Sequence, residues 1–164
     1  MLLDDALRAL PLLERYEGAV IDVGSGGGSP GIPLAAALPE REVTLLDAGR
    51  RKCDFLRRWA PPNAQVVWGR AEEQSPEQWA VALAKALASP PVAAELCLPL
   101  VCTGGAAILW LGEHADLDRL AAASVQLGGG VPDLQDGLAV LPKVAPTPAG
   151  FPRRAGVAKK RPLA

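Results

Sequence analysis

The chain has 164 residues, a formal net charge of -1 and 49% hydrophobic residues. This length fits one domain with a buried core, and the composition excludes a disordered or collagen-like chain. Because only 4% of the residues are aromatic, we expect a core built from Leu, Val and Ala.

Charge is distributed unevenly along the chain. Of the 17 basic side chains, five lie in residues 153–164, which contain no acidic residue: Arg153, Arg154, Lys159, Lys160 and Arg161. The rest of the chain carries 12 basic and 18 acidic side chains, a balance of -6. A basic tail on an acidic body favours a localised contact with phosphate groups, although a solvated C-terminus explains the pattern equally well.

The cysteines and the single histidine do not form a metal-binding motif. Cys53, Cys97 and Cys102 show no CxxC spacing, and His114 stands alone, so we predict no metal site and interpret the cysteines as buried apolar residues. We find no signal peptide, and the longest uncharged apolar run, 96–112, is too short and too broken to span a bilayer. These observations predict a cytoplasmic protein with no membrane segment, which we expect to be a monomer.

Apolar segments in chain order predict alternating strands and helices. Helices are predicted over residues 2–16 (interrupted at Pro11), 30–38, 50–59, 90–101 and 113–127. Strands are predicted over 19–23, 43–46, 66–68, 79–83 and 106–111, although the alanine content of 79–83 leaves a helix as an alternative. We also predict a turn at Gly104-Gly105 and a terminal antiparallel hairpin in 131–144.

This alternation indicates an α/β domain with a mostly parallel sheet and helices on both faces. We assign residues 1–145 to this domain. Residues 146–164 form a basic C-terminal arm that packs on the domain or extends from it.

A glycine-rich loop follows the first predicted strand, at Gly24 to Gly28. Ligands of open α/β sheets bind at the carboxyl ends of the strands, where glycine lets the backbone approach them closely. Asp47 ends the second strand, 23 residues after Gly24, and a carboxylate there can accept both ribose hydroxyls of an adenosine. Loop and carboxylate together predict a nucleoside ligand.

The same loop matches two nucleoside motifs. Gly26 to Gly31 satisfies the GxGxxG pattern of dinucleotide binding, but this pattern begins two residues after the end of the strand. Asp22-Val-Gly-Ser-Gly-Gly-Gly28 instead resembles the first motif of class I methyltransferases, which favours adenosylmethionine over NAD. Asp22 either belongs to that motif or only braces the loop.

Three motifs and the C-terminus resemble the RsmG (GidB) family. The motifs are Val20-Ile-Asp-Val-Gly-Ser-Gly-Gly-Gly-Ser-Pro-Gly-Ile-Pro-Leu34, Val43-Thr-Leu-Leu-Asp47 and Gly69-Arg-Ala-Glu-Glu73. The C-terminal match comprises Ala145-Pro-Thr-Pro148, Phe151-Pro-Arg-Arg-Ala-Gly156 and Lys160-Arg-Pro-Leu163. The resemblance follows the order of the chain over almost its whole length.

The resemblance implies a class I, Rossmann-like methyltransferase that uses S-adenosyl-L-methionine to methylate N7 of a guanine in small-subunit (16S) ribosomal RNA. Carried over by position, it implies cofactor contacts at Gly24, Ser29, the pair Ala71–Glu72 and Lys85. We add Ser25 and Gly26 from the loop, and Asp47 for the ribose. The five basic residues of the arm are the predicted RNA contacts.

No catalytic acid or base is predicted. Guanine N7 carries a lone pair and no proton, so it can attack a methyl group without a general base. Holding the reactants in line can contribute about 7–11 kcal/mol, so proximity can supply most of the catalysis.

The chain departs from the family pattern at four places. It has Ala80 and Lys85 where the family has Asp and Arg, Leu111 in place of a lysine, and Ser29 in place of a large apolar residue. It also begins about twenty residues before the first strand, where family members have a helical region. An alternative is therefore a shortened paralogue that keeps adenosylmethionine and acts as a binding module.

Two further groups of residues have alternative interpretations. Basic residues of the helix 50–59 either contact RNA phosphates or form a solvated helix face. The four tryptophans are candidates for stacking on a base, but their positions favour the core for most of them. We place His114 on the surface at the start of a helix.

Overall fold

The computed structural model describes residues 2–164, without the side chain of Leu2. Within this range the strands are β1 (Val20–Val23), β2 (Val43–Asp47), β3 (Ala64–Trp68), β4 (Trp79–Ala84), β5 (Val101–Trp110), β6 (Asp133–Gln135) and β7 (Leu138–Pro142). They form one sheet in the order β3-β2-β1-β4-β5-β7-β6. The first five strands are parallel, and β7 and β6 are antiparallel to their neighbours. The predicted α/β fold with a terminal hairpin is confirmed, and residues 79–83 are a strand.

Helices cover both faces of the sheet. They are α1 (Leu2–Leu7), α2 (Leu10–Leu13), α3 (Gly31–Ala37), α4 (Arg50–Trp59), α5 (Pro90–Cys97), α6 (Leu117–Gln126) and α7 (Val157–Lys160), with 3-10 turns at Ala71–Glu73 and Leu98–Leu100. Successive side chains of a strand point to opposite faces. Ile21 accordingly packs in the cluster that contains α5, α6 and α7, whereas Val20 packs in the cluster that contains α2, α3 and α4.

The segment between α5 and β5 differs from its prediction. The helix predicted over 90–101 ends at Cys97, and β5 begins at Val101. The turn predicted at Gly104-Gly105 is wrong, because both glycines lie inside β5. Gly104 has φ +94°, and the pairing of β4 with β5 shifts register between Trp79 and Val81. A glycine in this conformation here produces an irregularity within a strand rather than a chain reversal.

The prediction that most of the four tryptophans belong to the core fails at Trp59 and Trp68, and the prediction that the cysteines are buried is wrong for Cys102. Trp68 is 57% exposed because it ends β3, which is the edge strand of the sheet. Trp59 is 64% exposed at the end of α4, whose buried residues are Cys53 and Leu56. Cys102 is also exposed, whereas Cys53 and Cys97 are buried as predicted. No helix in residues 2–164 has the length and apolar character needed to cross a membrane.

The C-terminal arm, residues 146–164, packs against the domain. Its Arg153 forms an ion pair with Glu95 of α5, which is 1% exposed, and Nε of Arg153 donates to Oε1 of Glu95 at 2.6 Å. This hydrogen bond raises the pKa of Arg153. Ala158 is buried, and Phe151 and Leu163 pack against the same core cluster.

A buried lysine precedes the arm. Lys143 is 2% exposed, and its Nζ donates to the carbonyl oxygens of Leu98 (2.7 Å) and Val101 (3.0 Å) and to Oγ1 of Thr147 (2.8 Å). Burial lowers the pKa of Lys143, while Glu77 at 3.6 Å opposes this effect. The three acceptors fix the start of the arm to the residues that lead into β5.

Replacing Arg153 with alanine removes the partner of a buried carboxylate. We expect Arg153→Ala to lower the free energy of unfolding by about 3–5 kcal/mol, because Glu95 is left charged and unpaired. Urea denaturation measures this loss. Arg154→Ala is the matched control, since Arg154 is exposed and its loss should change stability by less than about 0.5 kcal/mol. Equal losses in the two variants would contradict the role given to the ion pair.

Candidate cofactor site

A cavity lies at the carboxyl ends of β1, β2 and β3, where an open α/β sheet binds its ligands. One wall contains Gly24 and Asp47, and a second consists of the segment 69–72 that follows β3. Leu87 and Leu96 add apolar surface. The cavity has a volume of about 110 Å³.

The carboxylate of Asp47 organises this edge of the sheet. Its Oδ2 accepts a hydrogen bond from the backbone N–H of Gly26 at 2.9 Å, and its Oδ1 accepts one from Gly49 at 2.8 Å. The first bond holds the loop after β1, and the second holds the residue before α4. Asp47 is 7% exposed and lines the cavity, so it can also meet a ligand there.

Gly24 is required at its position by its conformation and by its close neighbour. It has φ +74°, and a Cβ atom on it would lie 2.5 Å from Cδ1 of Leu87. Its N–H donates to the carbonyl oxygen of Leu46 at 2.8 Å. A larger residue here would therefore strain the backbone and displace the end of the Leu87 side chain.

Asp22 connects β1 to both ends of the glycine-rich loop by hydrogen bonds. It is 1% exposed, and its Oδ2 accepts from the N–H of Gly31 at 3.0 Å, at the start of α3. Ser25 donates its hydroxyl to the carbonyl oxygen of Asp22 at 3.0 Å. The other carboxylate oxygen, Oδ1, is buried without a hydrogen-bond partner among residues 2–164. Burial raises the pKa of Asp22 to about 7.

Four of the predicted cofactor residues line the cavity: Gly24, Asp47, Ala71 and Glu72. Ser25 and Gly26 belong to the loop that Asp47 holds, without lining the cavity of the described chain. Ser29 lies further along the same loop, and its hydroxyl is buried without a partner in residues 2–164.

Lys85 lies outside the lining of the cavity in the described part of the chain. It follows β4, its side chain is 18% exposed, and its Nζ forms an ion pair with Asp5 of α1. The structure therefore connects Lys85 to the N-terminal helix, not to the other predicted cofactor residues.

The arm supplies a wall that the sequence analysis missed. Gly156, Ala158 and Lys159 line the cavity, and the N–H of Gly156 donates to Oε1 of Glu72 at 3.2 Å. Gly156 has φ +83°, in the left-handed region. The basic composition of the arm indicated a phosphate contact, but no local pattern indicated that it returns to the strand ends.

These residues fit adenosylmethionine. Asp47 offers a carboxylate to ribose hydroxyls, and Ala71 and Leu87 offer apolar surface to an adenine ring. Ligand pockets usually enclose about 300–1,000 Å³. The enclosed part of the cavity, about 110 Å³, is smaller than this and holds only part of the cofactor.

The fold is that of class I adenosylmethionine-dependent methyltransferases. A TehB-like SAM-dependent methyltransferase from Corynebacterium glutamicum superposes with a TM-score of 0.61 at 16% identity, covering 84% of this chain and 86% of the other. The 16S rRNA methyltransferase KamB superposes with a TM-score of 0.60 at 17% identity, covering 84% and 92%. At this identity the likeness establishes the fold alone.

Sequence comparison gives the family. The profile of GidB, rRNA small subunit methyltransferase G, matches residues 1–127. The ribosomal RNA small subunit methyltransferase G of Synechococcus sp. (strain JA-2-3B'a(2-13)) is 39% identical over 186 residues, covering 97% of this chain and 72% of the relative. That of Rubrobacter xylanophilus is 40% identical over 174 residues, covering 91% and 66%.

The chain belongs to the rRNA small subunit methyltransferase G family, which confirms the resemblance stated from the motifs. It is an S-adenosylmethionine-dependent rRNA methyltransferase, and adenosylmethionine is its cofactor. Membership also decides between the two nucleoside motifs of the loop in favour of the one that begins at Asp22.

The titration of Asp22 predicts how stability depends on pH. Its pKa is about 7 in the folded protein, against an ordinary value of 3.8. Between these values the folded state keeps a proton that the unfolded state has lost, so the free energy of unfolding falls as pH rises, by about 1.4 kcal/mol per pH unit. Asp22→Asn does not titrate and should lose this contribution.

Urea denaturation of both proteins from about pH 4 to about pH 7 measures the difference. The wild type should lose stability relative to Asp22→Asn as the pH rises through this window. Asp54→Asn, at an exposed position of α4, is the control. A constant difference between wild type and Asp22→Asn would show that the carboxyl group of Asp22 titrates normally.

Proposed function

We propose that this protein transfers the methyl group of adenosylmethionine to N7 of a guanine in small-subunit ribosomal RNA. The observation that carries this proposal is the shared wall of the cavity. Lys159 of the basic arm lines the same cavity as Gly24 and Asp47. A side chain that attracts phosphate thus lies beside the residues that hold the methyl donor.

The residues of the cavity act by binding and orientation. Adenosylmethionine supplies an activated methyl group when it is bound. Asp47 would accept hydrogen bonds from the ribose hydroxyl groups, and its bonds to Gly26 and Gly49 keep the carboxylate from rotating. Ala71 and Leu87 line the cavity with apolar surface, which would exclude water around the bound cofactor. Because N7 of guanine has no proton to lose, orientation can supply most of the rate enhancement.

The arm divides its five basic residues between two tasks. The guanidinium of Arg153 donates hydrogen bonds to Glu95 and to the carbonyl oxygen of Arg161, so this residue anchors the arm to α5. The other four, Arg154, Lys159, Lys160 and Arg161, are exposed. In the proposed complex they contact RNA phosphates, and binding is accordingly sensitive to salt.

The remaining expectations follow from this activity. Because the substrate is ribosomal RNA, we place the enzyme in the cytoplasm. We also propose that it acts as a monomer, since the donor cavity and the basic arm are both formed by one chain. Among residues 2–164 no group of three or more His, Cys, Asp or Glu side chains is arranged to hold a metal ion. Orientation at N7, as proposed, requires no metal.

Methyl transfer to purified small ribosomal subunits and to their free RNA tests the proposal. We expect labelled methyl to appear as N7-methylguanine, identified by nucleoside mass spectrometry, in at least one of these substrates. Binding of S-adenosylhomocysteine without any transfer would instead support the binding-module alternative. Methylation of another base or atom would contradict the assigned target.

Asp47→Ala tests the cofactor site by calorimetric titration with S-adenosylhomocysteine. The variant loses hydrogen bonds between a charged group and the ribose, worth about 1.5–3 kcal/mol each, so we expect affinity to fall about 10- to 100-fold or more. Asp54→Ala on exposed α4 is the matched control, and NAD is the control ligand. Circular dichroism checks that Asp47→Ala is folded. Unchanged affinity would exclude Asp47 from the site.

Replacing Lys160 and Arg161 together by alanine tests the arm. We expect RNA affinity to fall and the slope of log affinity against log salt to decrease by about 0.7–0.9 for each lost phosphate contact. Affinity for S-adenosylhomocysteine should not change. Arg15→Ala removes one positive charge beside Gly18 and Gly104, at the opposite edge of the sheet, and serves as the control. An unchanged salt slope in the double variant would refute the role of the arm.

A further inference from the structure

Trp68 is a large aromatic side chain held in a fixed position on the surface. Its indole N–H donates to the carbonyl oxygen of Ala48 at 3.0 Å, while 57% of the residue is exposed. Exposure of an indole forgoes the stabilisation that burial would give. The hydrogen bond restricts the orientation of this exposed ring.

Two arginines lie beside this ring. The guanidinium of Arg50, the first residue of α4, lies over it with Cζ 5.7 Å from the ring centroid, within the range of a cation–π contact. Arg70 is exposed and lines a shallow groove together with Trp68, Ala48 and Glu73. The groove therefore combines the indole of Trp68 with one positive and one negative charge, and the guanidinium of Arg50 adds a second positive charge beside it.

The groove is continuous with the cofactor cavity. Ala48, Gly69 and Arg70 line both of them. Trp68 precedes the segment 69–72 that forms one wall of the cavity. A molecule bound in the groove would therefore touch the mouth of the methyl-donor site.

We propose that the groove of Trp68, Arg50 and Arg70 binds an unpaired nucleotide of the RNA substrate, with its base stacked on the indole of Trp68. This inference rests on the proposed function, which makes RNA the partner. An aromatic face flanked by arginines suits a stacked base with an adjacent phosphate. The α4 helix strengthens the preference for a polyanion, because it carries five basic residues and one acidic residue, Asp54.

Trp59 provides a matched control. It is also exposed, at 64%, but it lies at the other end of α4, where its ring is 6.4 Å from that of Phe55. It lies outside the groove in the described part of the chain. Trp59→Ala therefore removes an exposed indole without touching the proposed site.

The experiment compares two probes of equal charge: a ten-nucleotide single-stranded adenylate RNA and a ten-residue abasic ribose-phosphate chain. We expect wild type to prefer the adenylate, and Trp68→Ala to bind it about 5- to 100-fold more weakly. Binding of the abasic chain and the salt slope should not change, because no charge is removed. Trp68→Phe should retain most of the preference, and Trp59→Ala should resemble wild type.

Two results would overturn the inference. One is an unchanged preference for the adenylate in Trp68→Ala. The other is a loss of S-adenosylhomocysteine affinity in Trp68→Ala as large as its loss of RNA affinity, which would assign the indole to the cofactor site. Methylation of small subunits by wild type is measured separately. If wild type methylates and Trp68→Ala binds adenylate normally, this inference alone fails; if wild type does not methylate, the proposed function fails.

Discussion

The carboxylate of Asp47 joins three parts of the chain at the carboxyl ends of the strands, beside the cavity proposed for the cofactor. Its two oxygens accept backbone N–H groups from Gly26, in the loop after β1, and from Gly49, before α4. Asp47 is itself the last residue of β2. The spacing between loop, strand and helix is thus set by one side chain. The cavity wall formed by Gly24 and the position of α4, which carries Arg50, both depend on it.

Two buried charges of opposite sign hold the C-terminal arm against this framework. Lys143 saturates its ammonium group with two carbonyl oxygens and the hydroxyl of Thr147, and Glu95 pairs with Arg153. Buried charges with partners contribute little net stability compared with apolar residues, but they require one specific arrangement of the chain. Here that arrangement brings Gly156 and Lys159 to the cavity. The buried charges therefore determine where the arm lies more than they increase the stability of the fold.

Much of the fold could be predicted because its signals are local. A buried strand followed by glycines and a second strand followed by Asp47 indicate one ligand site, since the carboxyl ends of parallel strands meet at one edge. The return of the arm could not be predicted in this way. Arg153 pairs with Glu95, which lies 58 residues earlier in the chain, and no local sequence pattern indicates that the two residues are in contact. The exposure of Trp68 could not be predicted either, because it depends on strand order, which hydrophobicity does not encode.

Glu72 has two structural roles, one in the cavity wall and one in its contact with the C-terminal arm. It belongs to the segment that lines the cavity, and its side chain accepts the N–H of Gly156, 84 positions later in the chain. Gly156 in turn needs a left-handed backbone that few other residues adopt. The residue at position 72 is therefore constrained by the arm as well as by its place in the cavity wall. Because the bond uses the main-chain N–H of Gly156, a change at position 72 would remove one contact between the arm and the cavity wall, whereas position 156 is restricted by its left-handed φ.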